Sequence, residues 1–244
     1  MSATATIQPD ARPDLAHPGV GHVKASTWRV GTPERQRAAV DAIARAWQSR
    51  PWPTVGLLSY TVHIGTDGDT LLHYSQWTDE AAYEEFSRTF RDDRNAEIDA
   101  AVPGIERVEL HSYTPYRSLG LGPGAGTKAP GCVVAVEAEF DGTDPGAPQA
   151  WVDLVLDALA TEPAPAPGGI SGTFHLGTDD RRMLNYAEWE SEQAHADALA
   201  APGRGIGSDT PEWRKVLDFP GVTGNGFRRY LPALSLAPGP ESTP

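Results

Sequence analysis

The sequence is poor in cysteine, methionine and positive charge, and it holds no long apolar run. Cys132 is the one cysteine in 244 residues. That excludes an intrachain disulfide and points to a reducing, cytoplasmic setting. Twenty Lys plus Arg stand against thirty-three Asp plus Glu, a net charge of −13. So acidic a chain offers no broad cationic surface to phosphate backbones or anionic lipid, so nucleic acid and membrane are set aside as partners. No apolar stretch approaches the roughly 20 residues of a membrane-spanning helix. The opening MSATATIQPDARPDLAHPGVG lacks the basic and apolar regions of a signal peptide, and residues 1–21 read as a disordered tail. Seven histidines show no H-E-x-x-H or other metal-ligand spacing, so no metal is expected. There is no G-x-S-x-G elbow, and GLGPGAG does not open a helix after a strand.

What is present is a repeat. LLHYSQWTDE (71–80) and MLNYAEWESE (183–192) share Leu, Tyr, Trp and Glu at matching places. At that offset residues 40–77 lie over 152–189 without a gap, pairing Pro51 with Pro163, Gly56 with Gly168, His63 with His175, and Trp77 with Trp189. After a slip of five, residues 102–119 lie over 219–236. The chain therefore reads as one domain duplicated, over residues 22–119 and 131–236. Residues 120–130 form a Gly/Pro linker and 237–244 a tail.

In each copy the periodicity predicts one order of elements. In the first it gives a strand over 23–30, a helix over 33–50 and a hairpin around the Asp67-Gly68 turn. A second helix follows, capped by Thr78 or Asp79 with Tyr83, Phe86 and Phe90 on one stripe, then a strand over 105–116. This is β-α-β-β-α-β. The expected fold class is α+β: two ferredoxin-like repeats packed sheet to sheet as a single-chain dimeric α+β barrel, each covering the other's open face. Such a pseudo-dimer leaves a further homodimer open.

A two-residue turn at 67–68 puts Leu58, Tyr60, Val62 and Ile64 on one face with Leu71, His73, Ser75 and Trp77. The matching face in the second copy carries Ile170, Gly172, Phe174, Leu176, Met183, Asn185, Ala187 and Trp189. Gly172 stands where the first copy has Tyr60, so the second cavity is expected to be roomier. His63 and His175 fall on the opposite face, where a structural role is favoured. Trp77 and Trp189 suit either core packing or a substrate wall. Asn185 suits a site, because a buried amide needs a partner. APGRGIGSDTPEW (201–213) reads as a flap or a plain loop.

Asn185 and Trp189, with His195 six residues on, resemble the antibiotic biosynthesis monooxygenase family of dimeric α+β barrels. The first copy carries Trp77 and Tyr83 at two of these places, but His73 replaces the Asn. The tandem form also resembles the oxygenases that open an angucycline B ring. The resemblance implies an O2-using oxygenase acting on an aromatic polyketide, converting phenol or anthrone to quinone or opening a ring. It implies no required cofactor, with reduced flavin (FMN or FAD) as the alternative. A non-catalytic small-molecule carrier or sensor, and a haem-binding or haem-degrading relative, are the competing readings. His73 or His195 would be the base and Asn185 the oxyanion donor. Trp189, Trp77, Tyr83, Tyr60, Gly172, Phe174 and Met183 would line the substrate, with the principal site in the second copy. The exchange of His73 for Asn185 fits either a division of roles or loss of function in one copy.

Overall fold

The computed structural model describes residues 3–122, 125–201 and 209–239. They fall into two compact units, one from residues 3–112 with 230–239, the other from the described residues between 113 and 229. Among the described residues no helix is long and apolar enough to cross a membrane.

The first unit contains β1 (Ala5–Ile7), β2 (His22–Arg29), α1 (Pro33–Gln48), β3 (Leu57–Gly65), β4 (Thr70–Trp77), α2 (Glu80–Thr89) and α3 (Arg91–Ala101). It is completed by parts of two long strands, β5 (Glu106–Gly120) and β9 (Val222–Pro238). The second unit holds β6 (Cys132–Phe140), α4 (Ala147–Thr161), β7 (Gly169–Gly177), β8 (Arg182–Trp189), α5 (Glu192–Ala200) and α6 (Pro211–Leu217). The class is α+β, with the β-α-β-β-α-β order expected of each repeat. The hydrogen-bonded ladder runs β1-β9-β3-β4-β2-β5-β7-β8-β6, and β6 also pairs with β9.

Local chemistry sets the helix starts. Thr32 accepts from the Arg35 amide ahead of Pro33, Asp79 from Ala82, Ser191 from Ala194, and Thr210 from Trp213. The expected second helix is two helices, because Phe90 leaves helical geometry between α2 and α3. Arg94, 3 % exposed, ties that joint by donating to the Phe90 and Pro51 carbonyls, each at 3.0 Å.

The hairpin register is as expected in its middle, with Ile64 opposite Leu71 and Tyr60 opposite Ser75. A bulge then intervenes, and Leu57 rather than Leu58 faces Trp77. The bulge recurs in the second copy, where Gly169 faces Trp189 and Ile170 leaves the expected alternation. It begins at the repeated Gly56 and Gly168, both in the left-handed region. A Cβ on Gly56 would lie 2.3 Å from the Thr78 hydroxyl oxygen, and one on Gly168 would lie 2.5 Å from Ala194 Cβ. The glycines let each hairpin approach the helix that follows it.

Three boundaries differ from the sequence reading. Residues 1–21 are not a bare tail, since β1 pairs with Leu236–Pro238 of β9 and Asp14 O accepts from the Gln76 amide at 2.8 Å. Residues 237 and 238 belong to β9 rather than to a C-terminal tail. Each last strand is also longer than expected and divided between units. Residues 113–120 of β5 pair with β7, and residues 230–236 of β9 pair with β3. Both faces of both hairpins are buried, His63, Thr61 and Tyr74 on one and His175, Thr173 and Tyr186 on the other.

Candidate functional site

A cavity of about 390 Å³ opens in the first unit between the sheet and its helices. Its floor follows from strand alternation. Lys24, Ser26 and Trp28 project from one face of β2, and the same face of β4 supplies His73, Ser75 and Trp77. Ser26 stands opposite His73, and Lys24 opposite Ser75. Two polar rungs therefore cross a floor bounded by Trp28 at one end and Trp77 at the other. Trp47 of α1 and Tyr83 and Phe86 of α2 form apolar walls.

His73 is the chemical centre of this floor. It is 3 % exposed, and its Nδ1 lies 2.6 Å from the Tyr60 hydroxyl. Burial holds the phenol well above its ordinary range, so Tyr60 stays protonated. Nδ1 is that hydroxyl's hydrogen-bond partner among the described residues, so the O–H donates and the neutral imidazole carries its proton on Nε2. Nε2 is buried and has no protein partner among the described residues. Burial, then the charge of Arg107 and the proximity of His63, push the His73 pKa down to about 3. Trp28 packs on the ring at 4.0 Å, and the Arg107 guanidinium lies 4.6 Å above Trp28. The geometry makes His73 a neutral N–H donor rather than the base expected from its type.

Tyr60 was expected to fill this space. It instead forms part of the wall, packed against Trp47 at 4.8 Å and tethered to His73, and the cavity remains open beside it. The four first-copy residues singled out in the sequence, Tyr60, His73, Trp77 and Tyr83, are brought together here. Trp77 donates to the Ser75 hydroxyl at 2.8 Å and meets Tyr83 edge-on at 5.3 Å.

The second unit groups its residues differently. Phe174 and Met183 are buried in a hydrophobic cluster with Trp151, Val152 and Trp213. At Gly172 a Cβ would be crowded, meeting Asn185 Oδ1 at 3.2 Å and Leu119 Cδ2 at 3.4 Å. Asn185 Oδ1 is buried with no partner among the described residues, as a site amide awaiting a donor would be. His195 meets Trp189 edge-on at 4.9 Å, and its Nδ1 accepts from Arg229 Nε at 2.9 Å. Burial and the Arg229 charge lower its pKa to about 4. With its lone pair already engaged, His195 cannot serve as the expected base. Most of the expected flap, residues 202–208, lies outside the described residues.

The sequence reading missed Lys24, Ser26, Trp28, Trp47, Arg94 and Arg107. The period-2 pattern of Lys24, Ser26 and Trp28 was available, but nothing local says which face of β2 lines a cavity.

Three comparisons place these observations. The family model described as "Antibiotic biosynthesis monooxygenase" matches residues 133–204, which include Asn185, Trp189 and His195. No curated protein matches the chain. Among solved structures, an anthrone oxidase-like protein is 18% identical over 98% of each chain, with a TM-score of 0.63. An arginine-to-alanine variant of chlorite dismutase from Candidatus Nitrospira defluvii is 11% identical, covering 92% of this chain and 94% of that one, with a TM-score of 0.52. The second repeat is thus similar in sequence to the antibiotic biosynthesis monooxygenases, and the whole chain shares the fold of these solved structures.

Proposed function

We propose that this protein is an oxygenase that uses O2 on a flat aromatic phenol or anthrone, with its principal site in the first unit. The observation that carries the reading is the aromatic-walled cavity whose floor includes His73, a residue whose buried Nε2 has no partner among the described residues. Its volume falls within the range of small-molecule pockets, about 300–1,000 Å³. The match of residues 133–204 to the monooxygenase family supports the reaction class, and the fold shared with an anthrone oxidase-like protein is compatible with it.

The chemistry balances without an added reductant. An anthrone CH2 becomes C=O, one atom of O2 enters that carbonyl, and the other leaves as water with the two hydrogens. The four electrons come from the carbon itself once its enolate donates to O2. His73 Nε2–H holds the developing oxyanion, Tyr60 fixes the tautomer, and Trp28, Trp47 and Trp77 flank the rings while excluding water. A monooxygenative ring opening, in which one oxygen atom is inserted and the other leaves as water, would need two electrons from reduced flavin, so the cofactor-free reading belongs with quinone formation. In this scheme Asn185, Trp189 and His195 form a secondary or vestigial location.

The test is O2 uptake with 1,8-dihydroxyanthrone, in chelator and without added flavin, against the uncatalysed background. One O2 consumed per quinone formed is expected, and His73→Ala should slow turnover by roughly 10²–10³, the scale for losing one oxyanion donor. Asn185→Ala should cost far less. A rate no faster than background removes the proposal, and full activity in His73→Ala moves the site elsewhere.

A further inference from the structure

The cavity runs against the charge of the chain that builds it. The protein has 20 basic and 33 acidic residues, yet the charged side chains lining the cavity are Lys24, Arg91, Arg94 and Arg107 against Asp92 and Glu109. Two of these cations are largely withdrawn from water. Lys24 is 8 % exposed; its ammonium donates to the Ser112 hydroxyl, sits 4.2 Å from the Tyr83 ring centre, and lies 3.8 Å from a carboxylate oxygen of the more exposed Glu80. Arg94 is deeper still, with Nε unpartnered and no ion pair among the described residues. Arg107 is bridged to Asp99 at 2.9 Å, outside the cavity lining, yet its charge still reaches His73 and helps keep that ring neutral. Lys24 and Arg107 each have one carboxylate partner, whereas Arg94 is buried without one among the described residues; a buried cation without a counter-charge is costly, and an incoming anion lowers that cost.

The ligand's reacting end meets the same field. Lys24 and His73 occupy neighbouring rungs of adjacent strands, diagonal positions about 7–8 Å apart that a long side chain can bridge. Beside them in the same sheet β3 offers the neutral phenol of Tyr60, and β5 offers Arg107 and Glu109. Neither histidine first suited to be a base can act as one: His73 is a donor and His195 is occupied by Arg229.

We infer that the cavity takes its aromatic ligand as a preformed anion, an acidic phenol or enol, whose oxygen is held by Lys24 and the His73 Nε2–H with Arg107 behind them. This inference rests on the proposed function and adds its substrate class. Ionisation precedes binding, no protein base removes the proton, and an electron-rich neutral ring is discriminated against. Lys24 and Arg107 are specificity-determining residues, in a chain whose acidic exterior would otherwise repel such a ligand.

The probe is alizarin, which changes colour on losing its first phenolic proton and does not turn over. It is titrated with pH in EDTA, free and with the cavity saturated by the full-length protein. The bound dye should ionise about one pH unit or more below the free dye, each unit being a tenfold preference for the anion. Lys24→Met and Arg107→Gln should each reduce that displacement. An unmoved or raised midpoint overturns the inference, as does a displacement that both variants retain. Failure of alizarin to bind at millimolar concentration overturns both this inference and the aromatic pocket beneath it. A lowered midpoint without O2 uptake on the anthrone upholds the anion site and rejects the oxygenase.

Discussion

At the residue scale, buried neutral histidines make the protein sensitive to acid. Burial lowers the pKa of His63 and His73 to about 3, and that of His175 to about 4. The unfolded chain takes up these protons below about pH 6.5, whereas the folded chain does not. Stability is therefore full above that pH and falls as pH drops from about 6.5 towards 4, by about 1.4 kcal/mol per pH unit for each histidine. Urea midpoints measured at pH 7, 6 and 5 should decline steadily, and a flat series would show that these rings gain partners on protonation. Gly172 makes a second prediction at this scale. The Cβ of Gly172→Ala would crowd Asn185 Oδ1 and Leu119, and the larger side chain of Gly172→Tyr starts from the same crowded Cβ. A melting temperature lowered modestly by Ala and severely by Tyr is expected, and an unchanged one for Tyr would mean that Leu119 moves aside.

At the element scale, the repeated bulge decides which residues face the helices. Gly56 has φ +81° and Gly168 has φ +80°, where a side chain is strained, and each lies against the start of the following helix. Gly56→Ala and Gly168→Ala should each destabilise by roughly 1–3 kcal/mol. Gly56→Ala should in addition displace the hairpin from α2 and weaken ligand binding in the first cavity, while Gly168→Ala leaves it unchanged. Thermal melts paired with alizarin titrations separate the two effects, and equal binding losses would show that the bulges act through global stability alone.

At the scale of the whole molecule, neither repeat is complete as a stretch of sequence. The edge of β3 is filled by residues 230–236 from the far end of the chain, and β1 pairs in turn with residues 236–238. A fragment of residues 1–120 therefore exposes the unpaired backbone of β3 beside buried side chains. It should aggregate or self-associate on sizing chromatography, and supplying residues 222–239 as a peptide should restore solubility. A fragment that is monomeric, soluble and cooperative in its melt would contradict the pairing.

The sequence by itself determined the α+β class, the β-α-β-β-α-β order, the cap of α2 to within Thr78 or Asp79, and the mid-hairpin register. Each of these rests on local periodicity or on two copies of one pattern, such as Trp77 with Trp189 and Gly56 with Gly168. It also named Tyr60, His73 and Trp77, whose alternation puts them on one face, and Tyr83 on the inner stripe of the helix that follows. Only the tertiary structure decided that these line an open cavity while Phe174 and Met183 pack into a core. Free volume is set by distant side chains such as Leu119 and Trp213, not by the size of a residue in its own strand. The roles of the histidines were decided the same way. An imidazole's tautomer and pKa depend on what reaches it across the fold, Tyr60 and Arg107 at His73 and Arg229 at His195. The exchange of β5 and β9 between units was equally unreadable, because a strand's pattern states which face is apolar but not which neighbour completes its ladder.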